Sequence, residues 1–456
     1  MSTPSYLEHA NRITAEIVDG LRPPGQRLPT IRSYAYENGL AVSTVARTYA
    51  ELVRRGMVSG EVGRGSFVRL VPPQARLREP GQARIIDLEF NSTAVQPEDE
   101  RALAHAMMRA AEGDGLPFAS ASTSAYGAER LAVALARHLS YGGWQPRPEH
   151  LIFAGGARQA IAAALAAFAN TGEAVGVEAI SYPMVKATAQ RLGLRPIPIA
   201  MDEQGMRPDS LKAVAASDGV RLVYTQPTLH NPLGLTMTAE RRRDIAAVVD
   251  QGELTLIEDA VYSFLHPQAP HPIAALVPDR VILIDSLSKR GFPGLPIGLV
   301  TLADADRRQR LAESLRTGAW LSSPFSLALL ATLLEDGTLP EIEARKGSDA
   351  AKRHAIMRTG LKKWSPQGDA RSFHLWLPLP PPWRADDFCA AALHAGIAVT
   401  PGRNFSLQPG YAPDAVRIAL ATPAMDELRR AVGIIDQLLE LGPAAEPAEH
   451  STAQVA

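Results

Sequence analysis

The chain has 456 residues, a formal charge of −1, 46% hydrophobic and 21% charged residues, proportions that exclude wholesale disorder and fibrous repeats. One cysteine, Cys389, excludes a disulfide framework and any multi-cysteine zinc or iron–sulfur site. No apolar run reaches the ~18–20 residues that span a bilayer, which points to a soluble protein of the reducing cytoplasm, and at roughly 100–200 residues per domain the length predicts about two to four domains.

Charge is uneven along the chain. Residues 1–80 hold eleven arginines, no lysine and seven acidic residues, whereas the remainder carries a small acidic excess. A basic head on an acidic body points to a polyanionic partner for the head alone. Leu7, Ala10, Ile13, Ile17 and Val18 recur at helical spacing. Thr30 is a fair N-cap for a helix over 31–38, Gly39 ends it, and a second helix runs from about 41 to about 55. Short strand patterns at 57–60 and 66–69 flank a glycine-rich tip. Helix, helix, sharp turn, helix and a two-stranded wing over residues 1–70 is the winged helix-turn-helix layout.

Residues 71–84 are proline-rich and polar, the composition of a semi-stiff linker. From 85 to 441 apolar strand-like runs alternate with helices. Strands are expected at 151–154, 174–178, 221–225, 254–258, 281–285 and 297–301, with helices such as 239–249, capped by Thr238, between them. That alternation predicts an α/β unit with a mostly parallel sheet covered on both faces. Further runs at 373–377, 397–399 and 416–420 predict a smaller C-terminal α/β subdomain. The tail, 442–456, has almost no large apolar residue and is expected to be disordered.

The chemistry gathers at strand ends. Of seven lysines, Lys289 alone directly follows a buried-strand pattern, in the run VILIDSLSK. An amine in a crevice of low dielectric loses affinity for its proton and becomes a nucleophile. The strand at 254–258 runs into Asp259 and Tyr262, and the strand at 221–225 leads to His230 and Asn231. Ligands of open α/β sheets bind beyond the carboxyl ends of the strands, where all three clusters fall. An amine, a carboxylate, a phenol and an amide converging there match the needs of pyridoxal 5′-phosphate. The amine forms the Schiff base, the carboxylate keeps the pyridine nitrogen protonated, and phenol and amide hydrogen-bond the ring oxyanion.

On these residues the chain resembles, over 85–440, the fold-type I pyridoxal phosphate aminotransferases, and over 1–70 the winged helix of GntR-type repressors. The whole is similar to MocR-type (GntR/aminotransferase chimeric) transcription regulators. The resemblance implies that Lys289 carries the cofactor, Asp259 pairs with the pyridine nitrogen, and Tyr262 and Asn231 contact O3′. It places Tyr182 stacked on the ring, and Gly156, Ala157 and Arg158 at the phosphate cup with Ser286 and Ser288. Tyr126 matches a tyrosine that crosses a dimer interface, and Arg417 one that grips an α-carboxylate. One position departs. After Pro293-Gly294-Leu295 the family places a phosphate-binding arginine, and this chain has Pro296. Two cations are available to replace it: Arg158, favoured by its place on the cup helix, and Arg290, directly after the lysine.

In the head the resemblance puts Arg32 at a DNA-contacting position and Val42, Ser43, Thr44 and Arg47 on or near the major-groove face. Arg64 and Gly65 form a wing tip that reaches phosphates or the minor groove. Tyr34, Leu52 and Val53 are assigned to the core. The expected function is a homodimeric regulator of double-stranded promoter DNA, sensing an amino acid or amine through an external aldimine at Lys289. An active aminotransferase with an accessory head is the alternative. A scaffold without cofactor is disfavoured by the joint presence of Lys289, Asp259, Tyr262 and Asn231. Eleven histidines show no metal-ligand spacing, and no metal site is expected.

Overall fold

The computed structural model describes residues 5–18, 22, 26–54, 57–61, 65–68, 85–112, 117, 124–126, 129–141, 143–408, 410 and 412–443. The expected linker, Arg55, Arg64 and the expected tail beyond residue 443 lie outside the described residues.

The head contains α1 (Ser5–Val18), α2 (Ile31–Glu37), α3 (Val42–Arg54) and a hairpin of β1 (Val58–Glu61) and β2 (Gly65–Val68). Thr30 Oγ1 accepts from Ser33 N at 3.1 Å and starts α2. Gly39, at φ 63°, turns the chain between α2 and α3 in the left-handed region that costs glycine least. Ala10, Ile13, Tyr34, Val45, Tyr49, Leu52 and Val68 share one core. Val53, expected in that core, is instead 45% exposed. It sits at the margin of the α3 stripe that Val45, Tyr49 and Leu52 define, so the helix turns it toward water.

In the large domain seven strands form one sheet: β3 (Leu151–Ala154), β4 (Ala174–Glu178), β5 (Arg195–Ile199), β6 (Leu222–Thr225), β7 (Thr255–Asp259), β8 (Val281–Ser286) and β9 (Gly298–Thr301). Their order is β3-β9-β8-β7-β6-β4-β5. Neighbours are parallel except at β9, which runs antiparallel to both β8 and β3. Successive residues face opposite layers. Tyr224, Ile257 and Ile282 pack with Ala160, Ile161 and Leu311 on one side, and Val223, Leu256 and Leu283 with Ile245 and Val249 on the other. Six strands match the expected runs to within a residue at each end. The seventh, β5, was not expected, because Pro196 and Pro198 cannot donate to a ladder. They are tolerated because β5 is an edge strand, with one row of backbone groups outside the sheet.

A smaller antiparallel sheet joins β10 (His374–Pro378), β11 (Thr400–Pro401) and β12 (Ala415–Ala419) in the order β10-β12-β11. Ile86 and Asp87 pair in parallel with Ile397 and Ala398, so residues from near 85 contribute to this subdomain as well. No helix among the described residues is long and apolar enough to cross a membrane.

Candidate functional site

The site grows from the end of β8. Ser286 Oγ accepts from Ser288 N at 3.2 Å and opens a one-turn helix, Leu287–Arg290. The same hydroxyl donates to Ile297 O at 3.2 Å. Ser288, the other hydroxyl of the expected pair, is half-buried. Lys289 Nζ donates to Asn91 O at 2.7 Å and lies 5.7 Å from the Tyr262 ring centroid. Burial, with the Arg158 and Arg417 guanidiniums, pushes this amine down to about 8, against the pull of Asp259. About a tenth of it is then neutral at pH 7, the form that attacks a carbonyl.

Asp259 ends β7 and is 3% exposed. Tyr224 OH donates to its Oδ2 at 2.6 Å and Val261 N to its Oδ1 at 3.2 Å. Burial raises this carboxyl to about 6, with both hydrogen bonds opposing. Tyr262 is buried, its phenol raised by burial, and its OH accepts from Asn91 Nδ2 at 3.0 Å. Arg417, on β12, donates from Nη1 to Asn231 Oδ1 at 3.4 Å and from Nη2 to Thr400 Oγ1 at 3.0 Å and to Glu89 O. Burial lowers its guanidinium to about 10, and its buried Nε has no partner among the described residues. A desolvated guanidinium with an orphaned N–H is suited to a carboxylate.

The cup lies at the start of α4 (Ala157–Phe168). Gly156 precedes it at φ 148° with no capping side chain, so the first N–H groups of α4 are open to an anion. A Cβ on Gly156 would stand 3.5 Å from Pro296 Cβ, which puts Pro296 against the cup. Arg158 is exposed, and its Nε donates to Tyr182 OH at 2.9 Å. Arg290 is otherwise committed. It bonds Asp285 Oδ2 at 2.6 and 3.0 Å, both buried, and Glu343 Oε1 at 2.9 Å, partly buried. Burial would lower that guanidinium, yet Asp285 and Glu343 hold it above its ordinary value. Tyr126 is 48% exposed and joins this cluster through no hydrogen bond among the described residues.

Four contributors escape a reading of the motifs. Asn91 supplies both the acceptor for Lys289 and the donor to Tyr262. Tyr224 fixes Asp259; its place in the strand beside β7 was the one available signal. His374 Nε2 donates to His230 O at 3.0 Å, so its Nδ1 accepts from Ser372 Oγ at 3.0 Å and Asn91 Nδ2 at 3.3 Å. Burial lowers this imidazole to about 3, consistent with that neutral tautomer. Lys346, on the long helix α5 (Thr338–Gly360), donates to Thr93 Oγ1 at 2.8 Å, to Lys289 O at 3.1 Å and to Gly291 O. It clamps the turn that carries Lys289.

On the head, Arg32, Val42, Ser43 and Arg47 are exposed and Thr44 is half-buried. The Arg47 guanidinium lies 4.2 Å from the Tyr6 ring centroid. Tyr36, which no motif marks, is 90% exposed on α2.

A softened amine, a buried carboxylate of raised pKa, an orphaned guanidinium N–H and an uncapped helix start fit pyridoxal phosphate; Pro296 is the one misfit. Sheet order and constellation together define the class: a fold-type I pyridoxal phosphate protein, here preceded by a winged helix. Residues 89–435 match the family described as aminotransferase class I and II, and residues 5–68 the bacterial regulatory proteins of the gntR family. The chain belongs to the aminotransferase class I and II family, in the MocR-type arrangement with a GntR head. An HTH-type transcriptional regulator of Bacillus subtilis, YdeF, is 26% identical over 446 residues, covering 96% of this chain and 95% of the relative. YdcR, an HTH-type transcriptional regulator of Escherichia coli, is 28% identical over 441 residues, covering 88% and 92%. Among solved structures, an archaeal alanine:glyoxylate aminotransferase superposes with a TM-score of 0.72 at 22% identity, over 79% of this chain and 91% of that one.

Proposed function

We propose that the protein is a DNA-binding transcription regulator whose large domain senses an amino acid or amine through pyridoxal phosphate. The observation that carries this is the union, in one chain, of a winged helix exposing Arg32 and Arg47 with the buried cluster of Lys289, Asp259 and Arg417. The relatives described as HTH-type transcriptional regulators, matched over nearly their whole length, support it.

When bound, pyridoxal phosphate supplies an aldehyde for the lysine and a ring that accepts electrons. Lys289 offers a partly neutral amine beside it. Asp259, raised toward neutrality yet held by Tyr224, keeps a proton at the ring nitrogen. Tyr262 and Asn231 hold the ring oxygen, and Tyr182 covers the ring. Arg417 takes the effector's α-carboxylate. Because Arg417 also bonds Asn231, that capture alters a contact of the cofactor pocket as well. Ligand binding that favours one arrangement of the head shifts the DNA-binding equilibrium by its differential affinity. A second copy of the chain completes the assembly in this reading. Exposed Phe90, Met107, Met108 and Tyr126 support a partner surface on the body. The units are residues 1–70 for DNA, 71–84 as linker, 85–441 for cofactor and pairing, and 442–456 as tail.

The test has two arms. Visible absorbance of the protein with added pyridoxal phosphate, lost in Lys289→Ala, is expected; a colourless protein indifferent to the cofactor refutes the sensor. Fluorescence anisotropy on the promoter beside its own gene, with and without a panel of amino acids and amines, is expected to show specific binding that one of them changes. Affinity no better than for random DNA refutes the regulator. The same residues suffice for transamination, so keto-acid formation is measured with the same panel.

A further inference from the structure

The geometry points to Arg158 as the cation that binds the cofactor phosphate in place of the arginine missing at Pro296. This deepens the cofactor reading above and rests on it. A phosphate monoester carries between one and two negative charges at neutral pH, and an uncapped helix start offers only about half a positive charge. Uncompensated, the remaining charge would lie in a crevice walled by the buried Asp259.

The cationic groups around Lys289 can be sorted by what they already hold. Arg290 is buried between Asp285 and Glu343. Lys346 is 1% exposed and spends its donors on Thr93, Lys289 O and Gly291 O. Arg417 lies on the small sheet, bonded to Thr400, Asn231 and Glu89 O. Arg158 differs from all three. It occupies the second position of α4, directly after the open cup at Gly156, and pairs with no carboxylate among the described residues. Among the described residues it bonds through Nε alone, toward Tyr182 OH, which leaves the terminal Nη groups for an anion. Its charge is also felt at Lys289, second only to burial among the influences on that amine. Pro296 lies beside the same Gly156 that precedes Arg158, 3.5 Å from where a Cβ on that glycine would stand, so both positions border one cup.

The relocation has a structural corollary. A guanidinium that holds both the phosphate and the Tyr182 phenol ties anchoring of the cofactor's tail to placement of the ring that covers it.

The experiment titrates apo-protein with pyridoxal phosphate and, separately, with pyridoxal, which lacks the phosphate, following absorbance for wild type, Arg158→Gln and Arg158→Lys. Pyridoxal phosphate affinity is expected to fall about 10–30-fold in Arg158→Gln and to stay within about 3-fold in Arg158→Lys. Pyridoxal affinity is expected to stay within about 2-fold throughout. Unchanged pyridoxal phosphate affinity in Arg158→Gln overturns the assignment. An equal loss for both compounds also overturns it, because Arg158 would then act on the ring through Tyr182. Thermal melts of the variants, expected to match wild type at this exposed position, exclude misfolding as the cause. Should wild type bind neither compound, the cofactor reading itself fails, and this failure is distinct from the other two.

Discussion

The crevice and the head handle charge in opposite ways. In the crevice, Arg290, Asp285, Glu343 and Lys346 are buried or nearly so and bonded to one another or to backbone. On the head, Arg32 and Arg47 are exposed, with the Arg47 guanidinium over the Tyr6 ring. The difference follows from the task of each surface. Nucleophilic chemistry needs a fixed dielectric and a tuned amine, whereas phosphate recognition on a duplex needs charges that remain hydrated until the partner displaces counterions. Buried charges therefore tie function to stability; exposed ones separate the two.

That contrast can be attacked at several points. The largest effect is expected from Arg290→Ala, which strands the buried Asp285 and leaves Glu343 with His138 as its remaining partner; it should cost about 3–5 kcal/mol in urea denaturation. A loss under 1 kcal/mol would show that the crevice charges are as dispensable as those of the head. Next comes a pH effect from His354, 1% exposed with no partner for either ring nitrogen among the described residues. Burial lowers its imidazole from 6.5 to about 4. Between those values the unfolded chain binds the extra proton, so stability falls as pH falls, by up to about 1.4 kcal/mol per pH unit. His354→Leu should remove that slope: the gap between variant and wild type, followed by denaturation from pH 7 to 4, is expected to widen steadily in the variant's favour. On the head, Arg47→Ala should leave stability within about 0.5 kcal/mol, yet weaken DNA binding and reduce the slope of log K against log salt by about 1. A stability loss of 2 kcal/mol there would end the contrast. The smallest is Thr30→Ala, which removes the cap of α2 and should cost about 1 kcal/mol by thermal melting.

The strands were legible where an apolar run ends in polar residues within a short string. The run from β8 into Lys289, and that from β7 into Asp259 and Tyr262, announce themselves because apolar residues end abruptly in polar ones. Legibility ended where tertiary context overrides local preference. Two prolines hid β5, which only an edge position permits. Asn91 carries no motif and reaches Lys289 and Tyr262 solely through the fold, across 198 and 171 residues of chain. The bonds of the Ser286 hydroxyl to Ile297 O and Ser288 N likewise depend on the fold of the turn and carry no signal in the string. Val53 has an apolar side chain at a stripe's margin, where periodicity alone does not decide the face.

The 23-residue helix α5 bonds two separate regions of the large domain. Near its start Glu343 and Lys346 grip the lysine turn, and further along Arg353 donates to Leu420 O and Pro423 O beside the small sheet. At 1.5 Å per residue it is a rod of about 35 Å. From the grip at Lys346 to its end at Gly360 the lever is about 21 Å, so a tilt of about 5° about that grip displaces the far tip by about 2 Å. Under the proposed sensing function, one helix thus joins the turn that carries Lys289 to the chain beside the small sheet.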